Sequence, residues 1–254
     1  MILKIYNVSE EAKKCPVQTG RINVISMNIY STTTNLASGT GSIGTGGSAI
    51  QTNTGTLTAS TGGAGNVYVN EANTLNLGAS SAGGSLQVSA ADVMTVGGNI
   101  SAGSALTLQT TGNNANLQVT GGNLTGNTVS LQTNGSGTLS IGGAQTVTST
   151  TSTTLITDSL NIAGSVNTGT GTISLQTSNA ASTIALGDGA TGTLQLGSAT
   201  FTHLTAGTLD IGSSNQTGGI QLGTLDLSSQ PINLTLRTNG PVVDATPGEG
   251  ANIR

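Results

Sequence analysis

The sequence contains no tryptophan, one phenylalanine and three tyrosines, and only 6% of its 254 residues are charged. That is about a quarter of the usual charge content of a soluble domain, which argues against a charge-driven disordered tail. The basic residues are Lys4, Lys13, Lys14, Arg21, Arg237 and Arg254, so residues 22–236 hold no cationic Lys or Arg. Neutralising phosphate takes clustered cations, and a nucleic-acid binder is therefore excluded. Glu71, Asp92, Asp158, Asp188, Asp210 and Asp226 give the same stretch a mildly acidic character.

One cysteine, Cys15, cannot close an internal disulfide, and with a single histidine, His203, the chain cannot assemble a Cys/His zinc site. No metal and no cofactor is expected. The longest low-charge run, Ile22–Tyr30, is interrupted by Asn23, Ser26 and Asn28 and falls well short of the ~18 apolar residues that span a bilayer. The start, MILKIYNVSEEAKK, breaks its apolar run at Lys4 and Glu10, so it does not read as an export signal.

What the chain does have is 39 glycines and 44 threonines, with abundant Ser and Asn. Glycine costs roughly 1 kcal/mol per helix position relative to Ala, and β-branched Thr loses rotamer freedom there, so a helical protein is excluded. Residues 1–30 have ordinary protein texture and form a flanking or cap segment. From Ser31 to Arg254 apolar–polar–apolar couplets recur: Val67-Tyr68-Val69, Leu86-Gln87-Val88, Leu106-Thr107-Leu108, Leu139-Ser140-Ile141 and Ile173-Ser174-Leu175 among them. Alternation with period 2 is the strand signature, and Gly, Asn or Ser fills nearly every gap.

A longer period lies above the couplets. Leu106-Thr-Leu-Gln-Thr110 returns as Val129-Ser-Leu-Gln-Thr133 and Ile173-Ser-Leu-Gln-Thr177, and Leu194-Gln-Leu196 follows Ile173 after 21 residues. The expectation is an all-β, right-handed parallel β-helix with coils of about 20–23 residues, in which like strands stack at ~4.8 Å. An antiparallel sandwich would need more two-residue hairpin turns than Asn134-Gly135, Asp188-Gly189 and Asn239-Gly240 supply. Pro231–Leu236 and Pro241–Val243 still read as coil strands and Ala251–Arg254 as the start of another, so a longer array is expected, cut at its C-terminus.

These coils, with phrases such as GTLSIGG, GTISLQT, GTLDIGS and NGPVVDATPGEGANI, resemble the repeat region of filamentous haemagglutinin-like surface exoproteins of Gram-negative bacteria, over roughly residues 36–254. The resemblance implies a long β-helix, secreted to the cell surface through an outer-membrane partner and used for attachment to glycans or proteins of a host or neighbouring cell. The Asn-Pro-Asn-Gly type motif of that family's secretion domain is not found here. The resemblance then makes this an internal, structural and adhesive shaft segment rather than an enzyme.

The rival reading is a β-helical polysaccharide-degrading enzyme. Asp188 and Asp210 are one coil apart, with Asp226 and His203 near in sequence, but the stretch offers no Arg, Lys or Trp to grip a sugar. Gly187-Asp188-Gly189 has the look of a calcium turn but supplies one carboxylate and no repeated calcium-roll nonapeptide, so a plain turn is expected. Thr52, Thr54, Thr56 and Thr58, and again Thr168, Thr170 and Thr172, raise an ice-binding rank. Because the phrase does not return at a fixed coil position, ordinary outward-facing β-branched surface is expected instead. Asn99, Asn123, Asn134, Asn215 and Asn233 open glycosylation triplets of the kind so Asn- and Thr-rich a chain produces by chance. No catalytic, cofactor-binding or metal residue is assigned.

Overall fold

The computed structural model describes residues 4–6, 28–228, 230, 232–245, 247–248 and 253–254. Cys15, with Lys13, Lys14 and Arg21, lies outside the described residues. Strands make up 55% of the structure and helix 2%, and parallel strands stack into a β-solenoid of about ten turns.

The short strand β1 (Lys4–Tyr6) pairs antiparallel with the end of β2 (Asn28–Ser38), Ile5 opposite Leu36. Strands β2 and β3 (Ile50–Thr61) are long enough to pass through more than one face of a coil. From β4 onward the chain shows three faces. The first coil of this kind is β4 (Val67–Glu71), β5 (Leu75–Leu77) and β6 (Ser80–Ala82); the next is β7 (Leu86–Ala90), β8 (Met94–Val96) and β9 (Ile100–Ala102). Then follow β10 (Ala105–Thr110), β11 (Leu117–Val119), β12 (Leu124–Gln132), β13 (Thr138–Ile141), β14 (Thr146–Ile156), β15 (Ser159–Ile162) and β16 (Ser165–Asn167). Strands β12 and β14 each run through a corner, ending one coil and opening the next.

Register explains the composition. Inward positions of successive coils stack on one another, so Val69, Val88, Leu108, Leu131, Leu155 and Leu175 form one unbroken aliphatic column. All six are essentially inaccessible to solvent. A column only one side chain wide leaves no room for aromatics, and like charges at ~4.8 Å would repel, which accounts for the scarcity of both. The glycines mark corners where coils stack backbone on backbone. A methyl placed on Gly83 would sit 1.4 Å from the Gly63 carbonyl oxygen, and one on Gly103 would sit 2.2 Å from that of Gly83.

The repeated Leu106, Val129 and Ile173 phrases are in register, with Thr153 supplying the intervening coil. The regular period fails once. Strand β17 (Thr172–Gln176) pairs not with Leu194–Leu196, as a 21-residue step requires, but with β21 (Thr208–Gly212), Ile173 opposite Leu209, 36 residues on. Between them lie β18 (Ile184–Leu186), β19 (Leu194–Leu196), the four-residue helix α1 (Ser198–Phe201) and β20 (Leu204–Thr205), and β18 pairs in parallel with β19, Ile184 opposite Leu194. One coil therefore carries two strands on its second face.

The connection 187–193 folds back over β18. Gly192 sits so close that a methyl on it would meet the Ala185 amide nitrogen at 2.7 Å, and Ala185, although it alternates with the inward Ile184 and Leu186, is buried. Phe201, the chain's one phenylalanine, is buried in this enlarged coil. Beyond it β22 (Ile220–Leu222) stacks on β18, β23 (Asn233–Arg237) on β21 and β24 (Val242–Asp244) on β22, so the two proline-led segments do continue the coils. The first face holds ten strand layers from β2 to β23, about 45 Å at one strand spacing per layer.

Candidate functional site

The polar residues singled out by the sequence do not converge. Asp210 projects from β21 on the first face and forms an ion pair with Arg237 of β23, Oδ1 to Nε 2.8 Å. Arg237, just beyond the cation-free stretch 22–236, is brought by stacking to one layer from Asp210. Asp188 stands in the turn after β18 between Gly187 and Gly189, at φ +89° and +83°, a backbone that a side chain rarely tolerates. Its Oδ1 accepts the Ser198 backbone N–H at 3.0 Å, and this bond, with that of the Ser198 side chain, holds its carboxyl below the ordinary value.

Asp226, exposed beyond β22, is likewise lowered by the Ser228 hydroxyl and by the Ser228 N–H, which it accepts at 2.9 Å. His203 follows α1, half-buried, its Nδ1 2.7 Å from the Gly164 carbonyl oxygen. Each of the four groups is taken up by a separate local partner, and none bonds to another. Among the described residues no group of three His, Cys, Asp or Glu lies close enough to hold a metal ion.

The threonines require a correction. Thr52 and Thr54 point inward and are buried, as is Thr168, so they are not the outward β-branched surface expected of them. In β3 the alternation changes phase at Gly55, where Thr54 is buried and Leu57 is the next inward residue. A second interior column continues where β4 ends: Glu71 is followed by Ala90 and Thr110, and Thr133, Thr157 and Thr177 are buried at the equivalent ends of later strands. The Thr133 hydroxyl donates to that of Thr157 at 2.7 Å, which donates to the Ser159 carbonyl at 2.8 Å. Threonine suits this inner corner because its methyl packs while its hydroxyl satisfies turn carbonyls left without a ladder partner.

What faces solvent in order is a set of uncharged columns. On the third face Ser60, Ser81, Ser101, Thr125, Thr148, Asn167 and Thr205 are consecutive partners in register, exposed except for the half-buried Ser81. On the first face Gln87, Thr107, Ser130, Thr154 and Ser174 form a second column, half-buried, that runs on through Asp210 to Thr235. The Gln109 amide donates to the Ser89 hydroxyl across one coil step at 2.6 Å. At the corners Asn99 accepts the Asn123 N–H and Asn123 that of Thr146, each at 2.9 Å, so two of the glycosylation-type asparagines serve as ties between coils.

The third-face column escaped the sequence reading because each of its steps pairs over only one to three residues. Its signal, a Ser or Thr between two small or aliphatic residues at 80–82, 100–102, 124–126 and 147–149, becomes visible only once the register is known. No helix among the described residues is long and apolar enough to cross a membrane. Compared with family models, curated proteins and solved structures, the chain matches none of them.

Proposed function

We propose that this chain is a structural and adhesive shaft segment of a secreted, filamentous haemagglutinin-like surface protein of a bacterium. Its stacked coils hold shallow columns of hydroxyl and amide groups towards glycans or proteins of an opposing surface, and export runs through an outer-membrane partner. The observation that supports this reading best is the third-face column from Ser60 to Thr205, an exposed rank of hydrogen-bonding groups repeated once per coil with no charge among them. One hydroxyl contributes little in water, so useful affinity comes from many weak contacts engaged together along the rod.

Binding of the purified chain to a panel of surface glycans and to intact cells, with polysaccharide turnover read on the same samples, tests the reading. Binding without turnover, unchanged in Asp188→Ala and Asp210→Ala and weakened severalfold by Ser101→Lys with Thr125→Lys, is the expected result. Turnover abolished by either aspartate substitution overturns it in favour of a β-helical polysaccharide-degrading enzyme.

A further inference from the structure

The chain holds two Asn-Gly sequences, Asn134-Gly135 and Asn239-Gly240, each with an exposed asparagine just after a first-face strand. A backbone nitrogen that reaches the side-chain carbon of the asparagine before it closes a succinimide ring, and glycine, having no Cβ, obstructs that closure least. By sequence the two sites are alike. The coils make them different.

At the first site the Gly135 N–H donates to Oδ1 of Asn134 itself at 3.0 Å, so the attacking nitrogen already lies against the side-chain carbonyl. The amide is held in that sense from its other end, because Asn134 Nδ2 donates to the Thr111 carbonyl of the preceding coil at 2.9 Å. Cγ, one bond behind Oδ1, is thereby within a small side-chain rotation of the about 3–3.5 Å at which such atoms react. The surroundings of Gly135 can yield, since a methyl on it would meet the ends of two side chains, Asn113 Oδ1 at 3.1 Å and Asn114 Oδ1 at 3.2 Å.

At the second site the Gly240 N–H is turned to the Thr238 hydroxyl at 2.9 Å, while Asn239 Nδ2 is held by the Ser214 carbonyl at 2.6 Å. Gly240 is pressed against backbone: a methyl on it would sit 2.5 Å from the Thr217 carbonyl oxygen and 2.6 Å from that of Gly218. The nitrogen points away from its target, and the turn has no space in which to bring it round.

We propose that Asn134 is a deamidation site through which this rod ages. Gly135 N gives its proton to solvent hydroxide and bonds to Asn134 Cγ; the Cγ–Nδ2 bond breaks, and Nδ2 leaves as ammonia with a proton taken from water. Water then opens the succinimide at either carbonyl, giving aspartate or, with the main chain rerouted through Cγ, isoaspartate. The product has lost the donor that ties Asn134 to Thr111 and sets a carboxylate near that carbonyl oxygen, so the step between these coils loosens. Isoaspartate also moves the Asn134 main-chain carbonyl, which accepts the Asn114 and Gly137 N–H groups.

The test is incubation of the full chain in mildly alkaline buffer, native and in concentrated urea, with each Asn-Gly followed by pepsin peptide mapping and mass spectrometry. In the native chain Asn134 is expected to convert at least about tenfold faster than Asn239, and in urea, where neither turn exists, the two rates should agree within about twofold. Equal native rates, conversion led by Asn239, or an Asn134 that stays intact overturns the site. A tenfold preference that survives in urea overturns it as well, since the coils would not be its cause. Asn134→Gln, whose longer side chain closes the ring poorly, should stay unconverted at that position and leave the Asn239 rate unchanged. Hydrogen exchange tests the consequence: the aged chain should lose protection at the Asn114 and Gly137 amides, and Asn134→Gln aged alongside should not. Full protection in a fully converted chain overturns the loosening.

Discussion

The Glu71 carboxylate accepts the Thr52 hydroxyl at 2.6 Å and, from the same oxygen, the Thr54 backbone N–H at 3.0 Å, with only 3% of the residue exposed. Its other oxygen takes the Asn73 N–H at 3.1 Å. These bonds fall where β3 turns its corner before Gly55 and where the regular ladder lapses, so the acid stands in for a missing strand partner.

Glu71→Ala should destabilise the coils around β3 and β4 by about 2–3 kcal/mol, because it strands buried donors rather than merely deleting contacts. Glu71→Gln, which keeps one acceptor oxygen, should cost less. Hydrogen exchange localises the effect: amides from β3 to β4 should lose protection while those of β17 and β21 do not. Uniform loss along the rod would show that coils do not unfold semi-independently.

Asp158 plays a comparable part at the doubled coil. It accepts the Ser178 N–H at 2.8 Å and the Ser182 hydroxyl at 2.9 Å, pinning the segment that leads into β18. Asp158→Ala should loosen residues 178–196 at a cost of about 1–3 kcal/mol. Limited proteolysis checks this, since new cleavage should appear within that segment and nowhere else. An unchanged digestion pattern would mean that β18 and β19 are held by their apolar packing alone.

The strands and the period were legible because they rest on short-range rules: alternation fixes which residues face inward, and stacking repeats that choice once per coil. Inward columns such as Leu108–Leu131–Leu155 follow directly. Leu194-Gln-Leu196 misled for the same reason. Its couplet is as good as any other, and only the competition between β19 and β21 for β17, decided by three-dimensional fit, shows that it adds a second strand to one coil. The outward columns were partly legible: their residues can be read, but the register that sets Ser101 beside Thr125 cannot.

The core and the surface should respond very differently to truncation. Leu155 is 1% exposed within its column, so Leu155→Ala should cost about 2–5 kcal/mol and perturb chiefly the coils above and below it. The Arg237 side chain of the Asp210 pair is 56% exposed, so Asp210→Ala should cost less than about 1 kcal/mol. Thermal unfolding of both variants decides the contrast. A loss at Asp210 comparable to that at Leu155 would give the exposed pair a structural weight that its geometry does not support.

Acid sensitivity follows from the two lowered carboxyls. Asp188 and Asp226 are held below the ordinary value by hydrogen bonds from Ser198 and Ser228, bonds the unfolded chain lacks. A carboxyl whose folded value is depressed contributes its full stabilisation above the unfolded pKa, about 3.9, and loses it as pH falls through the lower folded value. These two groups therefore add no slope to stability between pH 8 and 5 and a small decline below about pH 4, small because both are largely solvated. Tm measured from pH 8 to 2 should show that decline, reduced in Asp188→Asn. A reduction of the Asp188→Asn difference centred near pH 6 instead of below 4 would mean that the Ser198 bond does not govern the titration of Asp188.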